Sequence, residues 1–242
     1  MTQFRLYWDG RRDDKEIQCM TRPRAVLSWS SGKDSAWMLH VLRQQAVHDI
    51  VGLVTTINTS AERVAMHAVR TDLLMAQAAA VGLPLWPVPI PSPCSNAQYE
   101  AAMRMVIERA RAAEVTVFGF GDLFLQDIRA YRERQLAGSG LTPVFPLWLS
   151  PTDVLAREMV AGGLRAYLTC VDPTQLPARF AGRSFDLVLL NELPVGIDPC
   201  GERGEFHTFA HAGPMFREAL AVRVGDTVTR DGFVFADVLA AA

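Results

Sequence analysis

Small hydroxyl residues, a glycine, a lysine and an aspartate are packed into one segment, Ser28-Trp29-Ser30-Ser31-Gly32-Lys33-Asp34-Ser35, between an apolar run and an amphipathic one. At a strand-to-helix junction such a segment lets the backbone curl until its N–H groups and the helix N-terminus converge on one anion. The Ser30, Ser31 and Ser35 hydroxyls and the Lys33 ammonium add donors. The chemistry this predicts is phosphate binding. The loop is not a Walker A motif, because Leu27 stands five residues before Gly32 and Asp34 follows Lys33, where that motif has Gly and Ser or Thr. Kinase-like and GTPase-like readings lose ground accordingly. An ordinary turn with Asp34 capping a helix is the bland alternative. Position at the C-terminal end of the first parallel strand favours a ligand, since open α/β sheets bind there.

A second polar cluster, Cys200-Gly201-Glu202-Arg203-Gly204-Glu205-Phe206-His207-Thr208-Phe209, precedes Ala212-Gly213-Pro214-Met215-Phe216. Two carboxylates, an imidazole and a hydroxyl among glycines suit acid/base or metal work at a loop; a surface turn leading into a strand is the alternative. Cys200, His207 and His211 can be drawn as a zinc set, but the intervening segment is not convincingly helical and a fourth ligand is missing. The four cysteines (Cys19, Cys94, Cys170, Cys200) show no CxxC spacing, so reduced thiols are expected. Cys170 reads as an apolar filler rather than a sulfur-transfer nucleophile.

Residues Ser30 to Ser35 resemble the SGGxDS signature of the PP-loop ATP pyrophosphatases, with Ser31 in place of the first glycine, a small residue that can still donate a hydrogen bond. Gly-Glu-x-Gly-Glu-Phe-His-Thr from Gly201, with Gly-Pro shortly after, is similar to the C-terminal signature of the diphthine-ammonia ligase family. The resemblance runs from about Arg24 to Phe216 and takes in Met66-His67-Ala68-Val69-Arg70, Gln77-Ala78, Leu83-Pro84, Phe118-Gly119-Phe120-Gly121-Asp122 and Asp127 to Glu133. The Ala- and Arg-rich composition marks a bacterial-type member. The resemblance implies an enzyme that binds Mg·ATP on residues 30–35, adenylates a carboxylate acceptor with release of pyrophosphate, and lets ammonia or an amine displace AMP to form an amide. The acceptor is a small molecule or a protein. Lys33 and Asp34 are then catalytic, Asp34 and Asp122 hold Mg²⁺, and Gly121 and Asp122 face the nucleotide. Thr55, Thr56 and Asn58 lie beside adenine and ribose, His67 and Arg70 face nucleotide and acceptor, and Glu202, Glu205, His207 and Thr208 contact acceptor, ammonia or metal.

Alternating apolar and amphipathic runs set the frame. Strands are expected at 25–29, 50–57, 85–90 and 115–120, with helices at 35–45, 63–81 and 97–113 between them. Parallel strands joined by crossover helices make an open α/β sandwich of the adenine-nucleotide α-hydrolase type. A boundary is expected near Gly140, separating an ATP-binding domain (24–140) from a smaller α+β substrate domain (141–242). A further helix is expected near 128–136, before that boundary; beyond it the pattern predicts a helix at 151–161, strands at 165–171 and 185–190, a Gly/Pro-rich stretch over 194–214 and a hairpin over 217–235. Residues 1–23 read as an arm or upstream extension.

The chain's 242 residues are half hydrophobic and carry 24 Lys and Arg against 26 Asp and Glu, a net charge of −2. A core of domain size is expected and disorder is excluded as the main state. No basic field draws nucleic acid. No run of about 18 apolar residues occurs, and the start is too polar for the h-region of a signal peptide, so a cytoplasmic protein without membrane contact is expected, with a homodimer left open. Two rivals stand from other classes: a nucleotide-binding sensor without turnover, resembling universal stress proteins, and a PP-loop tRNA-modifying enzyme. The first lacks the Lys-Asp-Ser trio and the second needs paired cysteines.

Overall fold

The computed structural model describes residues 22–59, 63–64 and 69–241. The N-terminal arm and His67 lie outside them. The first sheet is built from β1 (Arg24–Ser28), β2 (Asp49–Asn58), β4 (Leu85–Ile90), β5 (Val115–Gly119) and β6 (Thr142–Val144), all parallel in the order β4-β2-β1-β5-β6. A two-residue strand, β3 (Arg63–Val64), joins the tip of β2 antiparallel. Ala25, Val26 and Leu27 of β1 are wholly buried, as a central strand covered on both faces must be. β1 pairs with β2 on one side and β5 on the other, so the strand order reverses at β1 and a crevice opens beyond its C-terminal end.

Helices α1 (Lys33–Gln45), α2 (Thr71–Val81), α3 (Asn96–Ala112) and α4 (Gln126–Leu136) connect these strands. The helix expected over 63–81 begins only at Thr71. Val64 is buried in the β3 pairing and its N–H donates to Val69 O, so tertiary pairing overrides the local apolar period there. Pro87 and Pro89 sit on β4 with their side chains exposed, at the outer edge of the parallel sheet where a missing N–H breaks no ladder.

The second sheet is antiparallel, in the order β8 (Phe206–Ala212), β7 (Arg165–Val171), β10 (Phe233–Ala240), β9 (Val222–Arg230). Helices α5 (Thr152–Ala161) and α6 (Leu187–Glu192) belong to this half. The strand expected at 185–190 is α6 instead: the Asp186 carboxylate accepts from the Leu189 N–H, and Leu187 and Val188 are exposed. A short apolar run is ambiguous by period, and the N-cap decides it. The terminal hairpin turns at Asp231-Gly232, both with positive φ, as a two-residue type I′ turn requires.

The two sheets are not independently cored. One hydrophobic cluster runs from Leu39, Leu42 and Leu74 beside the parallel sheet to Leu168, Phe206, Phe209 and Met215 of the other half. A second cluster, with Val26, Val54, Trp86, Met103 and Phe118, fills the opposite face of the parallel sheet. Hydrogen bonds cross the join as well: Ala210 N–H to Ser31 O at 2.9 Å, Arg217 N–H to Ala80 O at 2.8 Å, and the Arg43 guanidinium to Met215 O at 2.8 Å.

Candidate active site

A cleft of about 520 Å³ lies beyond the C-terminal ends of β1, β2 and β5 and is closed on one side by residues 200–208, within the usual range for a small-molecule site. Its floor is the 30–35 loop. Ser31 takes φ +67° and is fully buried, which explains why a glycine-type position carries nothing larger than serine. Gly32 is the N-cap of α1 and has no side chain with which to cap it. No carbonyl of the helix can accept from the Asp34 and Ser35 N–H groups, and the Ser30 and Ser35 hydroxyls stand 3.2 Å apart beside them. Gly121 packs so closely that a Cβ there would come 3.1–3.2 Å from the backbone of Asp34 and Ser35. The result is a partly positive helix end facing the cleft.

Lys33 is oriented differently from a free phosphate donor. Its ammonium donates to both Asp34 oxygens, at 2.9 and 2.8 Å, and to Cys200 O, while its backbone N–H donates to Thr208 Oγ1 at 3.0 Å. Burial alone would lower this amine, but the adjacent Asp34, with Cys200 and Glu202, outweighs it and holds Lys33 above its usual value. Lys33 therefore stays charged and ties the phosphate loop to the 200–208 segment.

Across the cleft Glu202 accepts from the Leu123 N–H at 2.8 Å. Burial pushes its carboxyl up to about 7, reinforced by Asp34 and Asp122 and opposed by the Leu123 hydrogen bond and Lys33. Burial likewise raises Asp122; Arg132 offsets part of that and Asp34 adds to it. Asp122 Oδ2 is buried without a hydrogen-bond partner, the Arg132 Nε lying 3.8 Å away. His207 also lines the cleft.

Other expected site residues lie elsewhere. Glu205 is 1 % exposed, and its two oxygens accept from the Asp198 and Arg203 N–H groups, so it braces its own loop rather than lining the cleft. Arg70 is bonded to Asp237 of β10 through Nε and Nη2, away from the cleft lining. Thr55 donates to Trp29 O at 2.7 Å, whereas Thr56 faces the cleft, as strand alternation demands. Asn58 ends β2 opposite Ile90. Thr208 reaches the site as the acceptor for the Lys33 N–H.

The zinc set does not assemble. His207 and His211 are four residues apart on β8, about 13 Å at strand rise, and His211 stacks on Tyr167. Burial pushes the Cys170 thiol up to about 12 and raises Cys200 as well, so neither is a ready thiolate. Among the described residues no three His, Cys, Asp or Glu side chains could by themselves hold a metal. Mg²⁺ needs fewer, since it usually takes one or two carboxylates plus phosphate oxygens and water. The orphaned Asp122 oxygen and its mutual repulsion with Asp34 and Glu202 fit such an ion.

The sequence assigned no role to Gln77, Arg132 or Asp198, although the first two fall in stretches that carry the resemblance. Gln77 is fully buried and joins Trp29, Ser31 and Ala210; a lone amide on the apolar face of α2 was the signal. Arg132 Nη1 donates to Tyr99 and its guanidinium lies 5.2 Å from the Phe120 ring. Asp198 accepts from the Glu202 N–H, and nothing in its local sequence marks it.

A doubly wound parallel sheet with a cleft at its switch point, carrying a second, antiparallel half, defines the class. Residues 23–142 match the diphthamide synthase N-terminal domain and residues 151–235 the diphthamide synthase C-terminal domain. The chain is 29% identical over 243 residues to the diphthine–ammonia ligase of Danio rerio, covering 89% of this chain and 92% of that protein. It is 26% identical over 155 residues to the Bos taurus diphthine–ammonia ligase (62% of this chain, 58% of that protein) and 31% identical over 103 residues to that of Homo sapiens (40% and 39%). The chain belongs to the diphthamide synthase family. Among the described residues no helix is long and apolar enough to cross a membrane.

Proposed function

We propose that this protein is an ATP-dependent carbon–nitrogen ligase that converts the carboxylate of a diphthine-like acceptor to an amide with ammonia. The observation that carries the reading is the start of α1, which no side chain caps and whose Asp34 and Ser35 N–H groups no helix carbonyl can accept, opposed across one cleft by the Glu202 carboxyl. The phosphates of ATP lie against those N–H groups and the Ser30 and Ser35 hydroxyls. The apolar wall around Val54, Ile90 and Phe118 takes the base, next to Thr56. An acceptor carboxylate oxygen attacks the α-phosphorus, the bond to the β-phosphate oxygen breaks and pyrophosphate leaves. The ammonia nitrogen then attacks the acyl carbon, the bond to AMP breaks, and the nitrogen's proton passes to Glu202.

Mg²⁺ held by Asp34 and Asp122 would neutralise phosphate charge that this carboxylate-rich cleft otherwise repels. Lys33 and Thr208 hold the loop against the second half, so positioning and charge complementarity carry the rate. His207 contacts the acceptor. The activity suits residues 24–140 binding nucleotide and residues 141–242 binding acceptor. The test is acceptor-dependent exchange of labelled pyrophosphate into ATP without ammonia, followed by amide formation when ammonium is added. Exchange that ignores every carboxylate offered, or that needs ammonium, would contradict the order of steps.

A further inference from the structure

Gln77 lies outside the cleft lining, yet no other side chain of α2 is so completely engaged with the phosphate loop. It is 0 % exposed. Its Oε1 accepts from Trp29 Nε1 at 2.7 Å, and its Nε2 donates to Ser31 O at 2.9 Å and to Ala210 O at 2.6 Å. The indole can only donate and the two carbonyls can only accept, so the amide has one orientation. The Ala210 N–H also donates to Ser31 O at 2.9 Å. Both lone-pair directions of that carbonyl are thus filled.

In a trans peptide the C=O and the following N–H point in opposite directions. Fixing the Ser31 carbonyl therefore aims the Gly32 N–H the other way, toward Ser30 Oγ at 3.3 Å, and Ser30 is a residue of the cleft lining. That bond is long, and a phosphate oxygen is a better acceptor than a hydroxyl. Ser31 sits in the left-handed region at φ +67°, where a non-glycine residue stays only if its surroundings hold it.

We propose that Gln77 is the positioning residue of the phosphate site: its amide locks the Ser31–Gly32 peptide so that the Gly32 N–H is presented to the nucleotide's phosphates. The inference rests on the proposed role of the 30–35 loop. Gln77 touches no substrate atom, so its loss acts on phosphate recognition and leaves base recognition alone.

The experiment compares binding of MgATP, inorganic pyrophosphate and adenosine to the full chain and to Gln77→Met, which keeps similar bulk without the amide. Wild type is expected to bind all three. Gln77→Met is expected to weaken MgATP and pyrophosphate about tenfold or more and to change adenosine less than about twofold. Gln77→Asn, which withdraws the amide by one methylene, should lie with Gln77→Met. Equal loss of adenosine and pyrophosphate in a folded variant, or unchanged affinity for all three, overturns the proposal. So does failure of both variants to fold, which would make the residue structural. Wild-type protein that binds adenosine but neither phosphate compound would sink the loop's assignment itself, a result distinct from a variant that behaves like wild type.

Discussion

Glu202 and Glu205 stand three residues apart, one facing the cleft and the other bonded into its own loop. The Glu202 carboxyl, with a single N–H bond from Leu123 and two other carboxylates close by, is pushed up to about 7. A carboxyl whose folded pKa exceeds its unfolded value holds its proton longer in the native state, so stability falls as pH rises from about 4.5 to about 7. Glu202→Gln should remove that slope and leave the protein more stable than wild type at pH 8, on the order of 1–2 kcal/mol after discounting for partial solvation, as denaturant titrations at pH 5 and 8 would show. Its amide-forming rate should fall while MgATP affinity holds. Glu205 accepts two backbone N–H bonds in a dry loop, and Glu205→Ala should lower stability by about 2–4 kcal/mol through orphaned donors, measured by thermal melting. Lys33 is tied into the fold as well as into the loop. Its side chain is 2 % exposed and its ammonium pairs with Asp34, so Lys33→Met should destabilise by about 3 kcal/mol as well as abolish turnover. A variant with wild-type melting would mean the pair contributes nothing to folding.

At the scale of elements, the β1–loop–α1 junction was legible because its residues are needed locally: an apolar run, small hydroxyls, and an acidic first turn. The start of α2 and the identity of α6 were not, because Val64 is claimed by pairing with Ile57 and Leu187–Leu190 by the Asp186 cap. Local period cannot see either. The cleft residues Ser30, Asp34, Glu202 and His207 were readable from two motifs, and Gly121 and Asp122 from their place after the fourth expected strand. Gln77, Asp198 and Arg132 act by reaching across the chain, which sequence order conceals. Gly121 gives an element-scale prediction: Gly121→Ala would press a methyl onto the Asp34–Ser35 backbone. MgATP affinity should drop about tenfold with little change in melting temperature, read by calorimetric titration.

For the whole molecule, the shared cluster from Leu39 to Phe209 and the crossing bonds at Ser31, Lys33 and Ala80 make the two halves one folding unit. Unfolding should be a single transition by calorimetry and by circular dichroism alike, and two separated transitions would contradict the shared core. Arg70 and Asp237 clasp the halves at a partly exposed surface. Arg70→Ala should shift stability by less than about 1 kcal/mol and leave the KM for ATP unchanged; a raised KM would return Arg70 to the substrate. The central claim is cleavage at the α-phosphate in the cleft between these halves. Its most direct measurement is separation of AMP from ADP after incubation with MgATP, ammonium and a diphthine-bearing acceptor. AMP and pyrophosphate in equal amounts, formed only with acceptor present, is the expected result. ADP, or amide formed without nucleotide consumption, would contradict it.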